Sequence, residues 1–272
     1  MRLDLHIHTT ASDGAWSPQE VVKGAAAGRL DVVALADHDT TAAVDVAREA
    51  AAELNLQVVP AIEMSSTHAG REVHVLGYFV DVHSAALVAH GGRSGTLRIE
   101  RMREMVDRLA AGGIDVRFED VADAAGPERS SIGRPHLARA LVALGYAESV
   151  PDAFDRLIGD DRPAFVPTRL QTPAQAIETI LAAGGIPVWA HPPADLMDDL
   201  LPAMIRAGLR GLEVYRPSHR KNHVMRLEEI CRTTGLLKSG GSDWHTPEAG
   251  AALGDFHVGA DEVEGLLAAG GL

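Results

Sequence analysis

Short apolar runs recur along the chain at about residues 3–8, 32–37, 57–62, 73–80, 186–190, 211–215 and 236–240. Runs of that length bounded by turn residues read as strands. Most are separated by stretches whose apolar residues recur at helical spacing: Ser17 to Ala27, Thr41 to Leu54, Pro173 to Ala183, Asp195 to Ala207 and Ser218 to Thr234. Ser17-Pro18-Gln19-Glu20 offers a helix start with Ser at N-cap, Pro at N1 and Glu at N3, and Thr172-Pro173 repeats the first two signals. Alternating strand and helix units imply an α/β chain with a parallel sheet. About seven such units imply a closed or nearly closed barrel, whose chemistry gathers at the C-terminal ends of the strands.

The rhythm breaks between Ser84 and Pro167, where Leu97 to Ala111, Phe118 to Ala125, Arg134 to Leu144 and Pro151 to Leu157 read as helices with no strand between them. We therefore expect a barrel formed by residues 1–83 and 168–272, with 84–167 as an inserted helical subdomain that roofs the barrel mouth. Gly91-Gly92-Arg93-Ser94-Gly95 reads as a flexible linker at its entrance.

With 272 residues, 46% of them hydrophobic, the chain can bury a sizeable core as one main domain. The single cysteine, Cys231, excludes a disulfide framework and a cysteine zinc site. The Met-Arg-Leu-Asp start lacks the charged and apolar regions of a signal peptide, and the Ala-rich stretches are broken by charges, so no membrane span is expected. A reducing cytoplasm is the expected setting. A net charge of −13 excludes a broad basic surface for long nucleic acid. It does not exclude an anionic substrate, because divalent cations can dominate the field of a pocket. Oligomeric state stays open.

Candidate chemistry sits on the strands. In Leu3-Asp4-Leu5-His6-Ile7-His8 the two imidazoles lie at i and i+2, hence on one face. Asp13, His38, Glu63, His74, His191, Asp243 and His245 follow at or beyond the ends of later predicted strands. Imidazole and carboxylate donors suit Zn, Mn and Fe, and no thiolate set competes. Taken singly, each motif also fits a packed histidine or a capping acid. Together, at strand ends, they read as a multinuclear metal centre. Asp37 and Asp39 are expected to orient ligating imidazoles, and Trp189 and Trp244 to pack the site walls. His68, His83, His90, His223 and His257 are assigned to surface or packing.

His6-x-His8-Thr9, Asp37-His38-Asp39, Glu63, His74, Ala190-His191-Pro192 and Ser242-Asp243-x-His245 together resemble the PHP (polymerase and histidinol phosphatase) family of metal-dependent phosphoesterases. The resemblance covers nearly the whole chain. It implies a distorted (β/α)7 TIM-like barrel holding three divalent ions, Mn²⁺ by preference, with Zn²⁺ or Fe²⁺ as alternatives. It also divides the ligands: His6, His8, Glu63 and Asp243 for one ion; Glu63 bridging to a second with His74 and His191; Asp13, His38 and His245 for the third. A water that loses its proton between such ions would attack phosphorus directly.

Within the family, the inserted helices, Ile132-Gly133-Arg134-Pro135-His136 and Gly211-Leu212-Glu213-Val214-Tyr215 resemble the branch of nucleoside 3′,5′-bisphosphate phosphatases and 5′-to-3′ exoribonucleases. Arg134 can grip phosphate oxygens bidentately, with His136 and Ser131 adding hydrogen bonds; the bland alternative is an ordinary helix start. His219 could donate a proton to the leaving oxygen or touch a phosphate. The expected activity is removal of the 3′-phosphate from a small nucleotide bisphosphate, with His191, His219 and Glu63 in the catalytic machinery. The alternatives are 5′-to-3′ cleavage of short RNA, histidinol phosphate hydrolysis, and a metal-binding regulatory domain without catalysis.

Overall fold

The computed structural model describes residues 1–126, 132–167, 171–247 and 251–272. Its strands are β1 (Arg2–Ile7), β2 (Val32–Leu35), β3 (Gln57–His68), β4 (Arg71–Tyr78), β5 (Ile186–Trp189), β6 (Gly211–Tyr215), β7 (Leu237–Gly240) and the short β8 (Val258–Gly259). Between them run α1 (Pro18–Ala27), α2 (Ala42–Ala51), α3 (Ala85–Ala111), α4 (Phe118–Ala125), α5 (Arg134–Ala143), α6 (Val150–Ala153) with a π turn at Phe154–Ile158, α7 (Pro173–Ala182), α8 (Met197–Ala207), α9 (Lys221–Thr234) and α10 (Glu264–Gly270). The Ser17 and Thr172 caps form as expected, each with its full reciprocal capping box.

The sheet runs in the order β7-β6-β5-β4-β3-β2-β1-β8 and curls into a nearly closed barrel. The loop after β7 returns to β1, where His8 N–H donates to Trp244 O at 2.9 Å. The sheet is not purely parallel, contrary to the expectation from rhythm alone. β4 is antiparallel to both β3 and β5, and β8 is antiparallel to β1. β3 also continues six residues past the expected end at Ile62, because it pairs with β4 as a hairpin across Ala69 and Gly70, both at positive φ. The polar run Ser65-Ser66-Thr67 hides that extension from an apolar-run reading. Glu63 and His74 consequently lie within long strands rather than at strand ends.

Leu3 and Leu5 of β1 join a buried core with Val59, Leu76, Tyr78 and Leu266, whereas Ile7 packs with Val33 and Leu35 in another cluster, the pairing with β2 shifting register between Asp4 and Ile7. Helices α7, α8 and α9 cover the β4–β6 side through Ile177, Ile180, Leu200, Met204 and Leu227. Burying one such large apolar side chain stabilises the fold by about 1.5–3 kcal/mol.

Between β4 and β5 the helices enclose a separate cluster that includes Met102, Met105, Leu109, Leu137, Leu141 and Ile158. Helix α3 runs unbroken for 27 residues through Gly91, Gly92 and Gly95, so this segment is helix rather than linker. Its buried Leu87, His90, Ser94, Met102 and Met105 recur at helical spacing, and Leu87 packs with the barrel side of the core. That continuous buried face outweighs the cost of three glycines, each about 1 kcal/mol against Ala.

Candidate metal centre and anion pocket

β1, the loop after β2, the β3–β4 hairpin and the loops after β5 and β7 bring His6, His8, Asp13, His38, Glu63, His74, His191, Asp243 and His245 into one cluster at the barrel mouth. Glu63, fully buried, lies at its centre with its two oxygens turned to opposite sides. Oε2 lies 3.3, 3.2 and 3.1 Å from nitrogens of His6, His8 and His38. Oε1 lies 3.1 Å from His74 Nδ1 and 3.0 Å from His191 Nε2. Asp243 Oδ1 faces His8 Nε2 at 3.1 Å, and Asp13 Oδ1 faces His245 Nε2 at 3.4 Å. The donors of His6, His8, Glu63 and Asp243, those of His8, Asp13, His38 and His245, and those of His38, Glu63 and His74 each converge closely enough to hold an ion.

Local backbone geometry supports this convergence. Asp39, His191 and Asp243 adopt positive φ (58°, 31° and 55°), a conformation that costs a non-glycine residue of order 1–3 kcal/mol and marks functional loops. Gly14 and Gly241 allow the loops to close on the histidines, since a Cβ would lie 2.6 Å from the His8 carbonyl carbon or 2.4 Å from His6 Cβ.

Buried carboxylates behind the cluster hold its loops. Glu213 accepts His6 Nδ1–H at 2.8 Å through one oxygen and His191 N–H at 2.7 Å through the other. Burial pushes the Glu213 pKa up, but the His6 imidazole outweighs that and leaves it lowered. Asp4 accepts from Ser242 N–H at 2.8 Å and Ser242 Oγ at 2.6 Å, next to Asp243; burial raises its pKa to about 6. Asp37 accepts from Thr9 N–H, Thr9 Oγ1 and Ser12 Oγ, next to Asp13.

Asp37 and Asp39 therefore do not orient candidate ligands. Asp37 braces a loop, and Asp39 binds His90 Nε2 at 2.8 Å, Ser65 N–H at 2.9 Å and the Arg98 guanidinium. The residue that orients a candidate ligand imidazole is Glu213, which sequence reasoning passed over. Its signal was an acid at an alternating position in the otherwise apolar β6.

The donor set fits metal ions. His8 Nδ1, His38 Nδ1, His74 Nδ1 and Glu63 Oε2 are buried without a hydrogen-bond partner, and the Nε2 atoms of His6 and His8 face each other at 3.2 Å. Buried polar atoms are ordinarily paired, and imidazole and carboxylate atoms converging on common points are the donors that Zn²⁺, Mn²⁺ or Fe²⁺ takes. Charge is unevenly distributed over the cluster. Against the effect of burial, the Asp243 and Glu63 carboxylates raise the His8 pKa to about 10, whereas burial drives His38 down to about 4.

Beside the cluster lies a cavity of about 180 Å³. Asp13, His38 and His74 line it together with Arg98 and Arg101 of α3 and Arg134 at the start of α5. Arg134 donates to Asp160 Oδ1 at 2.6 Å and packs against Phe154 and Phe165. Arg98 and Arg101 were not foreseen as site residues; their signal was two arginines three apart on the expected helix at 97–111.

The other expected anion ligands lie differently. His136 is 2% exposed, and its Nδ1 accepts Gly133 N–H at 3.0 Å, which is the ordinary helix-start role. Ser131 falls outside the described residues. His219 donates Nδ1–H to Val214 O at 2.9 Å and meets His223 edge-on. Trp189 and Trp244 are buried, but they pack in apolar clusters, with Ile62, Met64 and Ile177 and with Ile7, Val21 and Val22 respectively, and neither lines the cavity.

A mixed barrel whose mouth gathers imidazoles and carboxylates beside an arginine-lined cavity defines a metal-dependent hydrolase of phosphate esters. The PHP domain profile matches residues 4–115. The chain is 34% identical over 261 residues to a 5′-3′ exoribonuclease of Haemophilus influenzae, covering 93% of each protein. It is 33% identical over 254 residues to a 3′,5′-nucleoside bisphosphate phosphatase of Chromobacterium violaceum, covering 91% of this chain and 88% of that one. The crystal structure of a protein assigned as a metal-dependent phosphoesterase from Bifidobacterium adolescentis superposes with a TM-score of 0.90 at 34% identity, over 98% of this chain and 96% of that one. The protein belongs to the PHP family of metal-dependent phosphoesterases. No helix among the described residues is long and apolar enough to cross a membrane.

Proposed function

We propose that the protein removes the 3′-phosphate of nucleoside 3′,5′-bisphosphates, such as adenosine 3′,5′-bisphosphate, giving the nucleoside 5′-monophosphate and inorganic phosphate. The observation that carries this reading is one cavity lined by both candidate metal ligands and three arginines. Such a site suits a small substrate with two anionic groups, one to be cut and one to be held. The Chromobacterium violaceum relative, named for that activity, supports it.

In this reading His6, His8, Glu63 and Asp243 would hold one divalent ion, Glu63 with His74 and His191 a second, and Asp13, His38 and His245 a third. Mn²⁺ is the first choice, and the same donors accept Zn²⁺ or Fe²⁺. Ions bound there supply a deprotonated water near neutral pH and polarise the phosphate oxygens. Glu63, with one oxygen near His6, His8 and His38 and the other near His74 and His191, would serve two of these positions, and Glu213 keeps His6 and the His191 backbone in register.

Arg101 and Arg134 hold the 5′-phosphate beside Arg98, which Asp39 and Ser65 keep in place, so binding energy from the unreacting end positions the 3′-phosphate over the cluster. The P–O3′ bond breaks, and the 3′-oxygen leaves with a proton as the nucleoside hydroxyl. His219 is poorly placed to give that proton. Burial lowers its pKa, which disfavours the protonated form, and its Nδ1–H is committed to Val214 O. The role passes to water.

Chromatography of the products from adenosine 3′,5′-bisphosphate tests the reading: 5′-AMP and phosphate are expected, and 3′-AMP would overturn it. A second reading, stepwise 5′-to-3′ hydrolysis of short RNA, is favoured by the Haemophilus influenzae relative. It predicts mononucleotides released in order from a 5′-phosphorylated oligomer.

A further inference from the structure

Among the described residues lining the cavity, Glu72 is the carboxylate paired with both Arg101 and Arg134. Glu72, on β4 two residues before His74, turns Oε1 to Arg101 Nη1 and Oε2 to Arg134 Nη2, both at 3.4 Å. These contacts are long for charge-assisted hydrogen bonds, whose usual N–O distance is about 2.7–2.9 Å. Glu72 is a third exposed and lines the same cavity.

Arg101 is only 10% exposed. It donates Nε–H to Val166 O at 2.8 Å, and its Nη2 is buried without a hydrogen-bond partner. A buried guanidinium with one nitrogen unmatched and another in a stretched ion pair is an incompletely satisfied cation. Burial lowers its pKa to about 10, in keeping with that shortfall. A phosphate has three oxygens to offer where Glu72 has two, and so can meet more of these donors.

We propose that Glu72 is a built-in counter-anion of the pocket: it occupies Arg101 and Arg134 when no nucleotide is bound, yields them to the non-scissile phosphate, and takes them back as product leaves. This rests on the bisphosphate reading, because it needs an incoming anion that is not the one being cut. It also addresses a difficulty of that reading. The product keeps its 5′-phosphate, and Arg101, whose ion-pair partner among the described residues is Glu72, would otherwise help to retain it. Glu72 is thus a specificity residue of the free site, acting through the two guanidinium groups.

The test is titration of 5′-AMP into the metal-loaded enzyme, wild type against Glu72→Gln, with metal content measured in both. Removing the competing charge should tighten 5′-AMP binding about three- to tenfold. KM for adenosine 3′,5′-bisphosphate should fall by a similar factor without a rise in kcat, and kinetics on 3′-AMP, which lacks the 5′-phosphate, should stay unchanged. Glu72→Ala, which removes the carboxylate by a different route, must shift 5′-AMP binding the same way.

Weaker binding in both variants would show that Glu72 builds the site rather than competes for it, and would overturn the proposal. Unchanged constants beside a wild type that binds 5′-AMP and cleaves the bisphosphate would remove Glu72 alone. A wild type that does neither would sink the bisphosphate reading and this inference with it.

Discussion

The barrel mouth and the helices inserted between β4 and β5 both pair acids with bases, but at different depths. At the mouth, Glu63 and Glu213 are 0% exposed, and each carboxylate meets imidazoles or backbone N–H groups that the strands fix in place. On the insertion side, the partners of Arg134 are Asp160, whose side chain is 75% exposed, and Glu72, at 33%. Buried pairs cannot trade partners for water without a large desolvation cost, whereas exposed pairs are worth about 0–1 kcal/mol and exchange readily. The mouth is therefore built to hold a fixed constellation, and Arg98 of α3 is tied to it through the buried Asp39, whereas Arg134 presents a cation whose carboxylate partners are open to exchange.

The sharpest way to break this contrast is at Glu63. Glu63→Gln should lose metal and reduce turnover by on the order of 10³-fold, because a neutral amide is a poor bridge between cations whose charge stabilisation is worth several kcal/mol. Elemental analysis and rate measurement check both, with thermal melting to show that the fold persists. Full metal content with near-normal turnover would remove Glu63 from the centre.

Glu213 tests whether the mouth depends on the residues behind its ligands. Glu213→Gln keeps the shape but weakens the acceptor for His6 Nδ1–H and turns one acceptor atom into a donor. Metal affinity or activity should drop by about 10- to 100-fold, as is typical for partners that orient ligating imidazoles. Competition with a chelator reads this directly. A variant as retentive as wild type would make Glu213 a packing residue.

On the other side of the comparison, Arg134→Ala should leave metal content intact while kcat/KM for the bisphosphate falls by about tenfold or somewhat more. A charge-assisted contact is worth about 1.5–3 kcal/mol, and Arg134 gives up existing carboxylate partners to make it. Loss of metal in this variant would mean that mouth and insertion are not separable.

The sequence carried the mouth better than the insertion, for physical reasons. Candidate ligands such as His6 and His8 sit in apolar runs where polar side chains stand out, and each expected metal residue joins the cluster. Glu213 stood in an equally apolar strand but was read as part of a motif rather than as a side chain with a partner. β3 was cut short because Ser65, Ser66 and Thr67 break the apolar run although they continue the strand, and with them the antiparallel hairpin was lost. Arg98 and Arg101 were invisible as a site because a basic helix face ordinarily meets solvent; only their contacts with Asp39 and Ser65 and with Glu72, far away in sequence, turn them inward. The glycines of α3 failed for the opposite reason, since local preference pointed to a linker and tertiary packing overrode it.

The smallest expected effect concerns that helix. Gly92 has no atom within 4 Å of a built Cβ and no positive φ, so Gly92→Ala should stabilise the protein by about 0.5–1 kcal/mol. Chemical denaturation measures it, and no gain would favour a segment that is not helical in solution.

The central claim is that the metal cluster cuts one phosphate while the arginines beside it hold another. It is tested most directly by kcat/KM of the metal-loaded protein on adenosine 3′,5′-bisphosphate against 3′-AMP. The account predicts that the bisphosphate is preferred by on the order of 100-fold, from a held phosphate worth about 3 kcal/mol of charge-assisted contact. Equal rates on the two substrates would contradict it, and efficient processing of 5′-phosphorylated RNA beside a sluggish bisphosphate reaction would transfer the site to the exoribonuclease reading.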